Sequence, residues 1–241
     1  MGARTLISAA LLLSLPQFGS AQVAGVQSAT AAPSPSNSFP PTNATVSPNE
    51  LPSIGKWSIG ADGLVAHWLG ARHNGKELRE PINVILVDDY AANAADAASR
   101  VIDAARLAGY PVREGHSSGY QAIVGGIRYP QLPAGTDYAF SNQPYVLNNN
   151  HGRIFGPYRD GKSWVFTAAF SREQVAPLST PKHVYNSFNI ARDDFTQKLD
   201  QFTSYKIVGF VQLDNTMVGK TGLTTGDHDG IAVMLKVEKS Q

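Results

Sequence analysis

Pro81-Ile82-Asn83-Val84-Ile85-Leu86-Val87 decides the class of fold. Its continuous, β-branched apolar run predicts a buried strand. An Ala-rich stretch, about 91–108, follows it. There Ala94, Ala98, Ile102 and Ala105 recur at helical spacing, and Gly109 then Pro111 stop the helix. Small residues on that face imply close approach to a sheet. Downstream, Asn148–Phe155 and Ser163–Phe170 read as strands that pair as a hairpin about Asp160-Gly161. A second helix is predicted from about Asn189 to Ser204, with Ser187 as its N-cap. Phe188, Ala191, Phe195, Leu199 and Phe202 form its apolar stripe. Two strands, Tyr205–Leu213 and Gly230–Val237, close the pattern, with Asp214–Asp229 between them as a polar hairpin loop. Upstream, Trp57–Ile59 and Leu64–Trp68 pair about Asp62-Gly63, and short strands are expected near 122–124 and 138–140. Strands, helix, strands, helix, strands predicts an α+β domain in layers. Its sheet is expected to be mixed and largely antiparallel, with two helices packed on one face.

The N-terminus carries an address. Arg4 precedes the apolar run Leu6–Leu15, Pro16 ends it, and Gly19-Ser20-Ala21 offers small residues to a peptidase. A charged start, a short apolar core and a small-residue exit predict a secretory signal at 1–21, cleaved after Ala21. Its apolar run is too short to span a bilayer. Residues 22–54 are rich in Pro, Ser, Thr and Asn, and Ala32–Pro41 offers little to bury, so a disordered spacer is expected there. It holds a glycosylation sequon at Asn43. A single globular domain is expected over 55–241, secreted and monomeric, without membrane insertion once the signal is removed.

Composition excludes some chemistry. The 241 residues contain no cysteine, which removes thiol catalysis and Cys-ligated zinc. A net charge of +1 argues against a broad grip on nucleic acid. Val218-Gly219-Lys220-Thr221-Gly222 evokes a phosphate loop, but Asp214 stands where that pattern needs its first Gly, so no nucleotide site is expected.

Two constellations remain. Gly115-His116-Ser117-Ser118-Gly119 matches G-x-S-x-G, in which a tight strand-to-helix turn exposes a nucleophilic Ser. Asp193, Asp194 or Asp214 and then His228 would complete the chain order Ser, Asp, His of a secreted esterase. Its flanks read as a Gly/Ser loop rather than strand and helix. The second set is stronger. His151 and Arg153 lie two apart on a predicted strand, so both face one side, with Asn149 beside them. His183 leads towards the second helix, whose first turns carry Arg192, Asp193 and Asp194. Such residues can hold a divalent metal, or a small anionic or polar ligand with His151, His183 and Asp193 as acid and base. In that scheme Asn149, Arg153, Arg192 and Asp194 bind the ligand. The same residues can instead form a structural ion-pair network. Asp227-His228-Asp229 reads as a solvated turn. A non-catalytic interaction protein is the third reading, marked by an exposed apolar patch without a pocket.

Ile82–Val87, Ala108-Gly109-Tyr110, His151-Gly152-Arg153-Ile154-Phe155 and the run from His183 to Ala191-Arg192-Asp193 stand in an order that resembles the LssY C-terminal type of domain over 81–199. The resemblance groups His151, Arg153, His183, Arg192 and Asp193 as one set and implies no particular activity. Phe155 stands where the family pattern has Trp, and the His183 run lacks the mid-segment acids of that pattern.

Overall fold

The computed structural model describes residues 45–48, 50–176 and 183–239. The expected signal peptide and the Asn43 sequon lie outside the described residues. The strands are β1 (Thr45–Val46), β2 (Ile54–Gly55), β3 (His67–His73), β4 (Lys76–Arg79) and β5 (Val84–Asp88). Helix α1 (Ala94–Leu107) follows. Then come β6 (Val112–Arg113), β7 (Gln121–Val124), β8 (Ile127–Leu132), β9 (Ala139–Ser141), β10 (Asn149–Asp160), β11 (Ser163–Val175) and β12 (His183–Ser187). Helix α2 (Asn189–Phe202) precedes β13 (Tyr205–Gln212), β14 (Leu223–Thr224) and β15 (Ile231–Val237).

The main sheet runs β1-β2-β7-β8-β10-β11-β5-β15-β13, with β12 on β11 and β9 on β10. Among the described residues, only the β5–β15 pair, next to the β13 edge, is parallel in it. A second sheet runs β14-β4-β3. The fold is therefore mixed and largely antiparallel, of the α+β class. It begins before Gly55: β1 pairs with β2, and Ile54 is fully buried with Val46 and Leu51 packed near it. The expected spacer thus ends in structured chain, because Ile54 has a core site to fill.

Period-two alternation divides the core. Val84 and Leu86 of β5 join Phe166, Ala168 and Phe170 of β11 in one cluster. Ala97, Val101, Ala104 and Ala105 of α1 and Ala191, Phe195 and Leu199 of α2 belong to it too. Ile85, Val87, Val165, Ala169 and Phe155 belong to a second cluster. Helix α1 buries Ala97, Val101, Ala104 and Ala105; of the predicted stripe Ala105 is buried, Ala98 and Ile102 are half-buried, and Ala94 is exposed. Its start is capped: Asn93 Oδ1 accepts from Asp96 N at 3.0 Å and Asp96 Oδ2 accepts from Ala92 N at 2.8 Å. At α2 the N-cap position is Phe188 rather than the expected Ser187, though Ser187 Oγ accepts from Ile190 N at 2.9 Å. Phe202 is exposed rather than part of the stripe.

The β10–β11 hairpin is the longest pairing and turns at Asp160-Gly161, as predicted. Its strands touch at Gly152, where a Cβ would lie 2.5 Å from Ala169 O and from the Phe170 ring. Gly152→Ala is expected to cost about 1–3 kcal/mol by overpacking, measured by urea unfolding. An unchanged midpoint would contradict the close approach.

Candidate functional site

Sheet register assembles the site. Asn149, His151 and Arg153 alternate onto one side of β10. Asn149 is paired directly with Glu173 of β11. On the other edge of β11, His183 of β12 is paired with Val175, two residues beyond Glu173 and on the same side. The Gly115–Gly119 loop between β6 and β7 closes over this surface. Gly115 has φ +91, and a Cβ there would lie 2.7 Å from the Tyr145 ring. Only Gly suits both the backbone and the space.

Together His116, Ser117, Tyr145, His151, Glu173 and His183 line a cavity of about 110 Å³, with Gly115 and Leu69 at its wall. Leu69 and His183 also line an adjacent cleft of about 620 Å³ that includes Arg72, His73, Asn74 and Tyr185. The rings of His116 and His151 stack at 4.6 Å, and those of Tyr145 and His183 at 4.7 Å. Among the described residues, His116, His151 and Glu173 form the one His/acid group whose donor atoms all lie within 4.8 Å of one another.

Asn149 organises the polar contacts. Its Nδ2 donates to Glu173 Oε1 at 2.7 Å and to Leu147 O at 2.9 Å. Both partners only accept, so its Oδ1 must face His151 Nδ1, 3.1 Å away. His151 Nδ1 therefore carries the proton. His183 Nδ1 lies 3.0 Å from Glu173 Oε1, an ion-pair contact off hydrogen-bond alignment. Both ring nitrogens of His183, and Nε2 of His116, are buried without a hydrogen-bond partner.

Burial sets the protonation states. It pushes His116 down to about 4, helped by the charges of Arg153 and His183. It holds His151 well below the ordinary histidine range, reinforced by His116, Arg153 and His183. It raises Glu173, against the Asn149 hydrogen bond and the nearby positive charges. At neutral pH the cavity thus presents neutral imidazoles at His116 and His151.

Arg153 braces the loop. Its Nη2 donates to Ser117 O and, at 3.2 Å, to Ser117 Oγ. Its guanidinium lies 4.2 Å from the centre of the Tyr120 ring. Ser117 Oγ also meets Tyr120 OH at 3.0 Å. Behind them Glu80 is raised to about 7 by burial, opposed by the charge of Arg153 and a hydrogen bond with Tyr120.

The structure brings together Asn149, His151, Arg153, His183 and Ser117, which the sequence presents as two separate candidates. It does not bring in the acids of α2. Asp194 accepts from Tyr110 OH and, at 3.1 Å, from Asn150 Nδ2. Asn150 points away from the side that His151 uses, so Asp194 is across the sheet from the cavity. Asp193 is half-exposed and accepts from Arg192 Nε at 2.7 Å. Arg192 Nη1 reaches Asp229 at 2.7 Å. These three therefore form the structural network. The esterase triad is not assembled either. No helix follows Ser117, and His228 is buried with its Nε2 2.7 Å from Asn215 Oδ1. In Asp227-His228-Asp229 both aspartates are exposed, but His228 is buried, and Asp227 accepts from Ser187 Oγ and from Phe188 N at 2.8 Å, pinning the start of α2.

Sequence reasoning missed His116 and Glu173 as members. His116 is visible within the Ser motif. Glu173 lies at the end of a long apolar strand, and only its pairing with Asn149 marks it.

Glu80 yields a pH test. Its folded-state pKa lies above the unfolded value, so its stabilising protonated form is complete below about 4.5 and lost as pH rises through about 7. Glu80→Gln should therefore gain stability relative to the parent between pH 5 and pH 8, by a few kcal/mol. Parallel urea titrations at the two pH values measure this. An equal difference at both would contradict a charge-destabilised Glu80.

Comparisons with protein-family models, with curated proteins and with solved structures found no match.

Proposed function

We propose that this is an exported, monomeric domain whose activity resides in the cavity of His116, His151, Glu173 and His183. There it binds and hydrolyses a small polar or anionic ligand. One observation carries the reading: buried imidazole nitrogens without partners converge on a single cavity beside a carboxylate and a hydroxyl. A buried polar atom left unpaired costs about 1–3 kcal/mol. Several in one cavity are best accounted for by a ligand that pairs them.

The chemistry follows from the protonation states. A neutral imidazole accepts a proton from an attacking water at neutral pH. His183 stands at the seam between cavity and cleft, where an attacking water would enter. Arg153 supplies the positive field that favours an anionic group, and Ser117 offers a hydroxyl on the cavity wall. Ser117 as nucleophile is the second reading, favoured by its place in the same cavity. Its base would then be a cavity imidazole rather than His228. The LssY-like order of segments fits a shared scaffold for His151, Arg153 and His183. Both helices are inferred to lie on the sheet face opposite the cavity, since their buried residues share one cluster.

Hydrolysis of p-nitrophenyl acetate and p-nitrophenyl phosphate by the mature chain tests the reading. His151→Ala is expected to lower kcat/KM at least 100-fold, the scale of a lost general-base or ligand contact, with the circular dichroism unchanged. Full activity in the folded variant would contradict the proposal. If the Ala variant does not fold, His151→Asn, which keeps a donor for Asn149, provides the same comparison.

A further inference from the structure

We propose that His116, His151 and Glu173 are the three protein ligands of a divalent transition-metal centre of the zinc class. This deepens the hydrolytic reading and rests on the same cavity.

The donors are of the right kind and in reach. Two imidazoles and one carboxylate present atoms within 4.8 Å of one another, and all three residues are buried. Around a tetrahedral ion with bonds of about 2.0–2.2 Å, donors stand about 3.3–3.6 Å apart. Modest side-chain rotation into the cavity closes the difference. The imidazole share selects zinc-like ions over magnesium or calcium, which prefer all-oxygen sets.

The lone pairs are also arranged for it. Asn149 Oδ1 faces His151 Nδ1, which also stands 3.7 Å from Glu173 Oε1; with the proton on Nδ1, the lone pair for an ion is at Nε2. A metal-binding His commonly donates its other N–H to such an oxygen, which fixes the ring. Asn149 simultaneously holds Glu173 Oε1 at 2.7 Å, so one amide orients two ligands. His116 Nε2 is buried with no partner of its own.

Three protein ligands leave one position open to the cavity, the pattern of a catalytic rather than a structural ion. A single water needs only about 10–15 Å³, so the cavity of about 110 Å³ has room for ion and water. One proton of that water passes to His183. The resulting hydroxide adds to the acyl or phosphoryl centre, and the proton leaves with the departing group. Metal binding lowers the pKa of the water to about 7, which makes the first transfer feasible at neutral pH.

The test is calorimetric titration of zinc chloride into the chelator-stripped mature chain. One equivalent is expected to bind. His116→Gln and Glu173→Gln should each weaken binding at least 100-fold, and Asn149→Ala about 10–100-fold. His67→Ala, outside the cavity, should leave it unchanged. Near-UV circular dichroism confirms folding, and His116, in a loop, provides the variant least exposed to a folding defect. No binding, or undiminished binding in both His116→Gln and Glu173→Gln, would overturn the metal centre. Chelator-resistant hydrolysis without zinc binding overturns the metal and leaves the cavity reading. Stoichiometric zinc binding through these residues without hydrolysis supports the metal and overturns the hydrolytic reading.

Discussion

The side-chain amide of Asn149 is the interaction on which the site depends. It spans β10 and β11 where their register sets Asn149 against Glu173. Its Nδ2 fixes the carboxylate and its Oδ1 fixes the imidazole of His151. Without it, two titratable groups would face each other in a closed space with neither tautomer nor charge defined. Both are buried, so such an arrangement would be costly. The long hairpin makes the amide possible, because β11 also carries β12 and hence His183 at its far edge.

Polar residues of similar type serve two ends in this chain. Those on the His151 side of β10 converge with unpaired nitrogens and empty volume. Those around α2 largely pair with one another, Asn189 Oδ1 and His228 Nδ1 excepted: Arg192 with Asp193 and Asp229, Asp194 with Tyr110, Asn150 and Lys198, Asp227 with Ser187 and Phe188. The first pattern is that of a ligand site and the second that of a helix fastened to its sheet. Chain proximity joins Arg192 and Asp193 to His183, but a strand and a helix entry send them to different sides.

Much of this was legible in the sequence. The β-branched run at Val84, the Asp160-Gly161 hairpin and the Phe188–Leu199 stripe mark strand, turn and helix by local rules. Period two places Asn149, His151 and Arg153 together. What failed were features set by long-range pairing. Glu173 enters through a cross-strand register, and His116 through a loop whose motif drew attention to Ser117. The α1 stripe was misjudged at Ala94, because small Ala residues lie on every side of this helix and leave its buried face undecided. The pairing of Asp227 and Asp229 was not legible because their partners lie about 40 residues away in the chain.

The central claim is that His116 and His151 are buried, neutral and held with lone pairs turned inward. Long-range proton–nitrogen correlation spectra of the histidine rings, recorded from pH 8 to pH 4.5, test it most directly. The account predicts that His151 stays in the neutral Nδ1–H form throughout, and that His116 stays neutral until the lowest pH. Ordinary titration of His151 near pH 6.5, or an Nε2–H tautomer, would contradict it.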